Sequence, residues 1–392
     1  MIDESYRQFA VTPVQVECLD AVIEHGSNTK AAKAIGKGRR AVDQAIERIV
    51  KNATARGYSP DHDMTHTAPD GFKVAGTSTL YDMDTGTPKI QWVKTKADAQ
   101  NFELMQESLI DSITSAMGSK QSTPVKPPKT TREDLMSVYP MGDPHIGMYC
   151  WAEESGSDFD CDIATSQLTD AMRRLVATSP NSQYALIANL GDFFHSDTLD
   201  NQTRRSGNSL DVDTRMSKVW SLGMTALITC IDEAKKKHGL VTVRNEIGNH
   251  DDHTSMLLSI ALEAWYRNDE RVHIDRSPAK FFYLKFGKCL IGTTHGDTVK
   301  LPKLPGIMAA DQAENWGKTL HRYWYTGHFH SSKVEEYPGV IIEQFRTLAA
   351  KDAWTAGAGY RAGRDMRCIV LHKDFGEIER HRVDIHEIEQ AA

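Results

Sequence analysis

Five short segments rich in Gly, Asp, Asn and His punctuate the second half of the chain. They are Gly142-Asp-Pro-His145, Gly191-Asp-Phe-Phe-His195, Gly248-Asn-His-Asp251, Thr294-His-Gly-Asp297 and Gly327-His-Phe-His330. Their lead residues stand 49 (143 to 192), 57 (192 to 249), 46 (249 to 295) and 33 (295 to 328) positions apart. Each follows at once on an apolar, β-rich run, with candidate strands ending at Pro140, Asn189, Glu246 and Thr294. Strands that end repeatedly on polar turns, with helical stretches between them, predict an α/β domain over residues 132–392. Loops on the C-terminal edge of such a sheet gather side chains from distant parts of the chain. One intervening helix has Asp211 or Asp213 as its opening, Lys235-Lys-Lys-His238 in its last turn and Gly239 as its stop. From Lys333 to Ile388 the sequence reads as several further strands.

The donors in these segments are carboxylate, amide and imidazole, without thiolate. Of the 16 histidines, 13 lie after residue 140, whereas the six cysteines are scattered and form no C-x-x-C pair. Such a set suits Mn, Fe, Zn or Ni as divalent ions rather than a cysteine-bound structural zinc. Seven donors exceed what one four-coordinate ion needs and match two ions. Two ions about 3.5–4 Å apart clamp an in-line displacement at phosphorus and lower the pKa of a water between them.

This ordered set resembles the calcineurin-like metallophosphoesterase superfamily over roughly residues 135 to 390. The resemblance implies a four-layer αββα sandwich with metals on its loop edge. It makes Asp143, His145 and His330 ligands of one metal, Asn249, His295 and His328 ligands of the second, and Asp192 the bridge between them. His250 becomes the histidine that protonates the leaving oxygen, and Asp251 the residue that orients its ring. The second block, Phe193-Phe194-His195, and the Asp251 that ends the third differ from phosphoprotein phosphatases, which look like G-D-x-x-D-R-G with G-N-H-E. They are similar to SbcD-type DNA repair exonucleases, in which a histidine at the position of His195 helps place the scissile phosphodiester. The short interval between the third and fourth blocks, and the 62 residues after His330, leave little room for the capping domain of those exonucleases. The chain also looks like phage and prophage proteins that join a small helical module to such a domain.

The first 117 residues have another character. Thr12-Pro13 is a helix start, with an N-cap hydroxyl and a proline at the first helical position, and Gly26 is the stop. A short helix over Thr29–Ile35 and a third from about Gly38 follow, the third with an apolar stripe of Ala41/Val42, Ala45/Ile46 and Ile49/Val50. Residues 1–60 thus resemble a helix-turn-helix. Between Asn28 and Arg56 there are eight Lys/Arg against two acids. Lys37, Arg39, Arg40 and Gln44 would face bases, and Lys30, Lys33 and Lys51 would face phosphates; the alternative is a packing module with a solvated basic face. Residues 61–117 read as a hairpin, Phe72–Tyr81 with Lys89–Thr95, and a helix over Ala97–Met117. Residues 118–131, with three prolines, read as a linker. His62 and His66 are spaced i, i+4, but Pro60, Pro69 and Gly71 favour a loop over a zinc site. Near the other end, Asp352–Asp365 carries Trp354, Tyr360, Arg361 and Arg364 among Gly and Ala: either a surface loop or a place where aromatics stack bases and Arg361 and Arg364 hold phosphates. Lys300 and Lys303, just past His295, are candidates for lining a substrate channel.

Net charge is −7, from 46 basic and 53 acidic residues, so a polyanion partner must meet local basic patches. The longest uncharged apolar-rich stretch, Val219–Ile231, has 13 residues, short of the roughly 20 that span a bilayer. The first residues lack the basic and apolar regions of a secretory signal. These features predict a cytoplasmic protein of a bacterial or phage-infected cell without a membrane partner, its oligomeric state left open. The expected function is a dinuclear metal-dependent phosphodiesterase, a nuclease on DNA, with manganese the first candidate ion. The alternatives are a phosphomonoesterase or small-nucleotide phosphodiesterase, and a DNA-binding regulator or assembly factor with a vestigial esterase domain.

Overall fold

The computed structural model describes residues 3–10, 12–55, 57–60, 64, 72–81, 88–97, 124–198, 201–202 and 209–390. The expected helix over 97–117, the His62/His66 pair and the first part of the 118–131 linker lie outside them, apart from Ala97. The chain divides into two compact units, Met1–Gln106 and Glu107–Ala392.

In the first unit a short 3-10 helix, Glu4–Phe9, precedes α1 (Pro13–His25), α2 (Asn28–Ala34) and α3 (Arg39–Ala55). Sequence reasoning missed the 3-10 helix; its Tyr6 and Phe9 pack with Tyr58. Thr12 and Gln15 form a reciprocal capping box at the start of α1, and Gly26 ends it in the left-handed region, φ +70. The buried stripe of α3 is Val42, Ala45, Ile46, Ile49 and Ala53, which seals against Leu19, Val22 and Ala31; Ala41 is exposed. β1 (Phe72–Tyr81) and β2 (Pro88–Ala97) pair antiparallel as the expected hairpin.

The second unit is built on two sheets. One has the order β13-β12-β3-β4-β5-β6 and the other β10-β11-β9-β8-β7. Their strands are β3 (Arg132–Met141), β4 (Ser182–Asn189), β5 (Leu240–Asn245), β6 (Val272–Asp275), β7 (Phe282–Phe286), β8 (Cys289–Thr294), β9 (His321–Thr326), β10 (Lys333–Tyr337), β11 (Val340–Gln344), β12 (Asp365–His372) and β13 (Gly376–Asp384). β3 to β6 run parallel, as do β8, β9 and β11. The sheets face one another across a core that joins Val138, Leu186 and Ala188 to Ile291, Tyr325 and Phe345. Strand alternation sends the neighbouring side chains outward: Leu290 and Trp324 pack under Leu304 and Met308 of the helix Leu304–Asp311. Helices Cys161–Thr178, Met216–Lys235 and Thr254–Tyr266 cover the first sheet. The layers are therefore αββα.

Two local expectations are corrected. The helix expected to open at Asp211 or Asp213 begins at Met216. Asp213 instead accepts from the backbone N–H of Cys161 at 3.2 Å, supplementing the Asp160 cap of a neighbouring helix. Arg364 is not a surface arginine. Its guanidinium donates to the Leu348 carbonyl and the Gln167 side chain and pairs with Glu389. The segment 352–364 opens with a short helix, Ala353–Gly357, and these bonds tie its end to two further helices, so Arg364 is not available to a phosphate.

Candidate metal centre

The five polar segments follow β3, β4, β5, β8 and β9, so parallel strands deliver them to one edge of the sandwich. The turns there are strained. Six non-glycine residues among those described have positive φ, and five are Asp143 (44), His145 (47), Asp192 (48), His328 (69) and His330 (52). Such conformations cost on the order of 1–3 kcal/mol each and persist only where surroundings enforce them. Two glycines provide the room: a Cβ on Gly327 would lie 2.6 Å from Asp143 Oδ2, and one on Gly248 would overlap the Asp192 carboxylate.

The donors converge in two sets. In one, His145 Nε2 faces His330 Nε2 at 3.1 Å, with Asp143 Oδ1 3.8 Å from the latter. In the other, His295 Nε2 lies 3.2 Å from Asp192 Oδ2, 3.0 Å from Asn249 Oδ1 and 3.2 Å from His328 Nδ1. Two ligand atoms each about 2.0–2.2 Å from one ion stand roughly 3–3.5 Å apart. Neutral imidazole nitrogens facing at these distances need a proton or a cation between them, and His295 Nδ1, 2.8 Å from the Leu190 carbonyl, already has its proton assigned. The donor set therefore fits two divalent ions. Asp192 groups with His295 and His328, while its Oδ1 accepts the His250 N–H at 2.8 Å.

Burial sets the protonation of the rings. It pushes His195 down to about 3 and His330 down to about 4, and holds His145 well below the usual imidazole range. These nitrogens are lone-pair donors at neutral pH. Burial also lifts Asp143 to about 7. It works against a charge on His295 as well, but Asp192 and Asp143 outweigh it and raise that ring to about 10. In the metal-free site, a proton thus stands where a cation would.

Around the donors, two expected roles are redistributed. Asp251 does not orient the His250 ring. Its carboxylate accepts the backbone N–H groups of Asp192, Phe193, Phe194 and Gly248 and so fixes the loop that presents Asp192. The His250 ring is held by the backbone carbonyl of His195, 2.8 Å from Nδ1. The His195 side chain is buried, stacks on His250 at 5.4 Å and brings Nδ1 to 3.3 Å from His145 Nδ1. Sequence reasoning missed Thr347, which donates to the Asp143 carbonyl at 2.6 Å, and Asp197, which caps the helix after the third segment through the N–H groups of His253 and Thr254. Neither stands in a motif of its own, although Asp197 follows His195 by two positions.

The remaining candidates lie apart from the donors. Arg361 is exposed, and its guanidinium donates to the Ala356 and Tyr360 carbonyls. In the first unit Lys30, Lys33, Arg39, Arg40, Gln44 and Lys51 are exposed on α2 and α3, with Arg39 paired to Asp43 at 3.6 Å and Lys37 to Glu17.

No family model matches the chain, and no curated protein does. Among solved structures it is similar to a predicted phosphoesterase of Streptococcus pneumoniae, at 9% identity over 64% of this chain and 99% of that one, TM-score 0.27. It is similar to an archaeal phosphodiesterase at 13% identity over 64% and 99%, TM-score 0.33. A 5'-nucleotidase from Candida albicans matches at 11% identity over 67% and 54%, TM-score 0.30. At such identities and scores, the chemistry of this chain rests on its own residues.

Proposed function

We propose that this chain is a dinuclear metal-dependent phosphodiesterase of the calcineurin-like type that hydrolyses nucleic acid, DNA foremost. The observation that carries this reading is the meeting of seven oxygen and imidazole donors from five strand ends in two sets, each spaced for one ion. Two divalent cations held there, with manganese the first to test and iron, zinc or nickel as alternatives, supply Lewis acidity and an activated water.

The chain's own groups do the rest. Asp143, His145 and His330 would hold one ion and Asn249, His295 and His328 the other, with Asp192 serving both. Asp251 fixes the Asp192 loop so that the carboxylate needs no reorganisation when substrate arrives. As an imidazolium, His250 donates from Nδ1 to the His195 carbonyl and keeps Nε2–H for the departing oxygen. His195, neutral and buried, positions His145 and excludes water from that side.

The similarity of the second and third segments to SbcD-type nucleases supports nucleic acid as the substrate. The first unit would bring it: α2, the turn with Gly36 and α3 follow the helix-turn-helix plan, with Lys30, Lys33, Arg39, Arg40 and Gln44 on the open surface. Cleavage with Mn²⁺ of end-labelled single- and double-stranded DNA, beside bis-p-nitrophenyl phosphate and p-nitrophenyl phosphate, tests this reading. Wild type is compared with Asp192→Asn and with a chain starting at Pro124. Metal-dependent DNA cleavage weakened by removal of the first unit supports a recruited nuclease. Hydrolysis of the small esters alone, indifferent to truncation, makes it a small-substrate esterase.

A further inference from the structure

A groove of about 600 Å³ opens beside the His295–His328 half of the site. Its walls are the segments 296–302 and 329–335, and it begins at Gly296, directly after His295. Phe329 stands in it, between two metal-ligand histidines whose positive φ values (69 and 52) fix the turn. Phe329 is 53% exposed, and its ring meets that of His328 edge-on at 4.8 Å. A large apolar ring left in water beside a charged site has no role in the core: it belongs to neither apolar cluster that flanks the second sheet. The groove is also cationic at one point. Lys333 is neutralised by Glu335 at 2.8 Å, but Lys300 is exposed and makes no ion pair with a described residue.

We propose that this groove is a nucleobase subsite, in which Phe329 stacks a base of the phosphodiester substrate and Lys300 meets a neighbouring phosphate. This rests on the phosphodiesterase reading and names what that site selects. A flat aromatic face takes any base, because every base has a π-face. Val299, Leu301 and Pro302 add apolar surface beside Phe329, while Thr298, Lys300, Ser331 and Lys333 supply polar groups, a mixture that suits a base with its sugar and phosphate. The volume lies within the range of small-ligand clefts, about 300–1,000 Å³. Phe329 is thus a specificity residue that acts on the base, separate from the groups that act on phosphorus.

Two measurements on the full chain test the subsite. The first compares kcat/KM on thymidylyl-thymidine with kcat/KM on abasic analogues lacking either base, for wild type, Phe329→Ala, Phe329→Leu and Phe329→Trp. Stacking of one base corresponds to roughly 5- to 150-fold in an equilibrium. The wild-type ratio for one of the two analogues is expected to be tenfold or more, to fall toward one in the Ala and Leu variants and to survive in Trp. The second reads 2-aminopurine fluorescence of a 2-aminopurine-containing dinucleotide with metal-stripped protein: wild type quenches it and Phe329→Ala does not. Equal ratios in wild type and Phe329→Ala, or equal quenching, overturn the subsite. Absence of diester hydrolysis by wild type overturns the phosphodiesterase reading instead, and the fluorescence measurement then decides the subsite alone.

Discussion

His250 Nδ1 lies 2.8 Å from the carbonyl oxygen of His195, so a backbone atom, not a carboxylate, orients the ring proposed as the general acid. A carbonyl only accepts, which fixes Nδ1 as protonated and leaves Nε2 as the nitrogen that exchanges its proton. His250→Asn is expected to keep both metals, by elemental analysis, and to lose about 10²–10⁴-fold in kcat on DNA. The loss shrinks on p-nitrophenyl esters, whose leaving group needs no proton. An equal loss on both substrates would refute the acid role. His195→Ala retains the carbonyl and the orientation of His250, so its defect should be insensitive to the leaving group.

Metal binding should strengthen with pH. Metal-free His295 holds its proton up to about 10 and Asp143 up to about 7, and both protons must leave before the donors bind a cation. Raising the pH from 6 to 8 is therefore expected to lower the Kd for Mn²⁺ or Zn²⁺. Calorimetry in two buffers of different ionisation enthalpy should show at least one proton released. A pH-independent Kd would contradict the donor assignment.

Two glycine substitutions should separate site from fold. In Gly327→Ala the new methyl lies 2.6 Å from Asp143 Oδ2 and displaces that ligand. The expected result is loss of one metal equivalent with about 1–3 kcal/mol of destabilisation. Gly306 sits in the helix Leu304–Asp311 with nothing within 4 Å of an added Cβ. Gly306→Ala should raise stability by about 0.5–1 kcal/mol and leave metal content unchanged. Thermal melts and metal analysis of the pair give the answer.

Stability should fall in mild acid through a residue outside the donor clusters. His238 is fully buried, with Nε2 2.7 Å from the Tyr139 hydroxyl and Nδ1 2.8 Å from Ser182 Oγ. Burial lowers it to about 4 from an ordinary 6.5. A depressed histidine binds its proton in the unfolded chain first. Its contribution is present above pH 6.5 and lost as the pH falls toward 4, up to about 3 kcal/mol. Melts from pH 7 to 4.5 should show a shallower slope for His238→Gln than for wild type; identical slopes would remove His238 from the account.

The loss of the Asp251 carboxylate should act at a distance from its own position. Four backbone N–H groups converge on it, three of them from the Asp192 loop. Asp251→Ala leaves them buried without an acceptor, at roughly 1–3 kcal/mol for each group not rescued. Weaker metal binding, about 10–100-fold, should accompany the lower melting temperature. A melting temperature that falls with metal affinity intact would make Asp251 purely structural.

The features legible in the residues alone are local. Apolar β-runs ending in glycine and a short polar side chain specify strand ends within a residue: Met141, Asn189, Asn245 and Thr294 were each adjacent to or at the expected end. The donor types in those turns limited the chemistry, because carboxylate, amide and imidazole carry their preferences wherever the chain puts them. The capping box at Thr12 and the stop at Gly26 were equally legible, since a helix end is satisfied by its immediate neighbours. Which distant group each side chain meets depends on how the elements pack. Asp251 belongs to a loop 58 residues away rather than to the histidine beside it. Arg364 binds a carbonyl and a helix rather than solvent, and Phe329 borders a groove that two segments form only after β8, β9 and β10 come together. Hydrogen-bond partners and cavities of this kind are set by packing between elements, and no short-range preference encodes them.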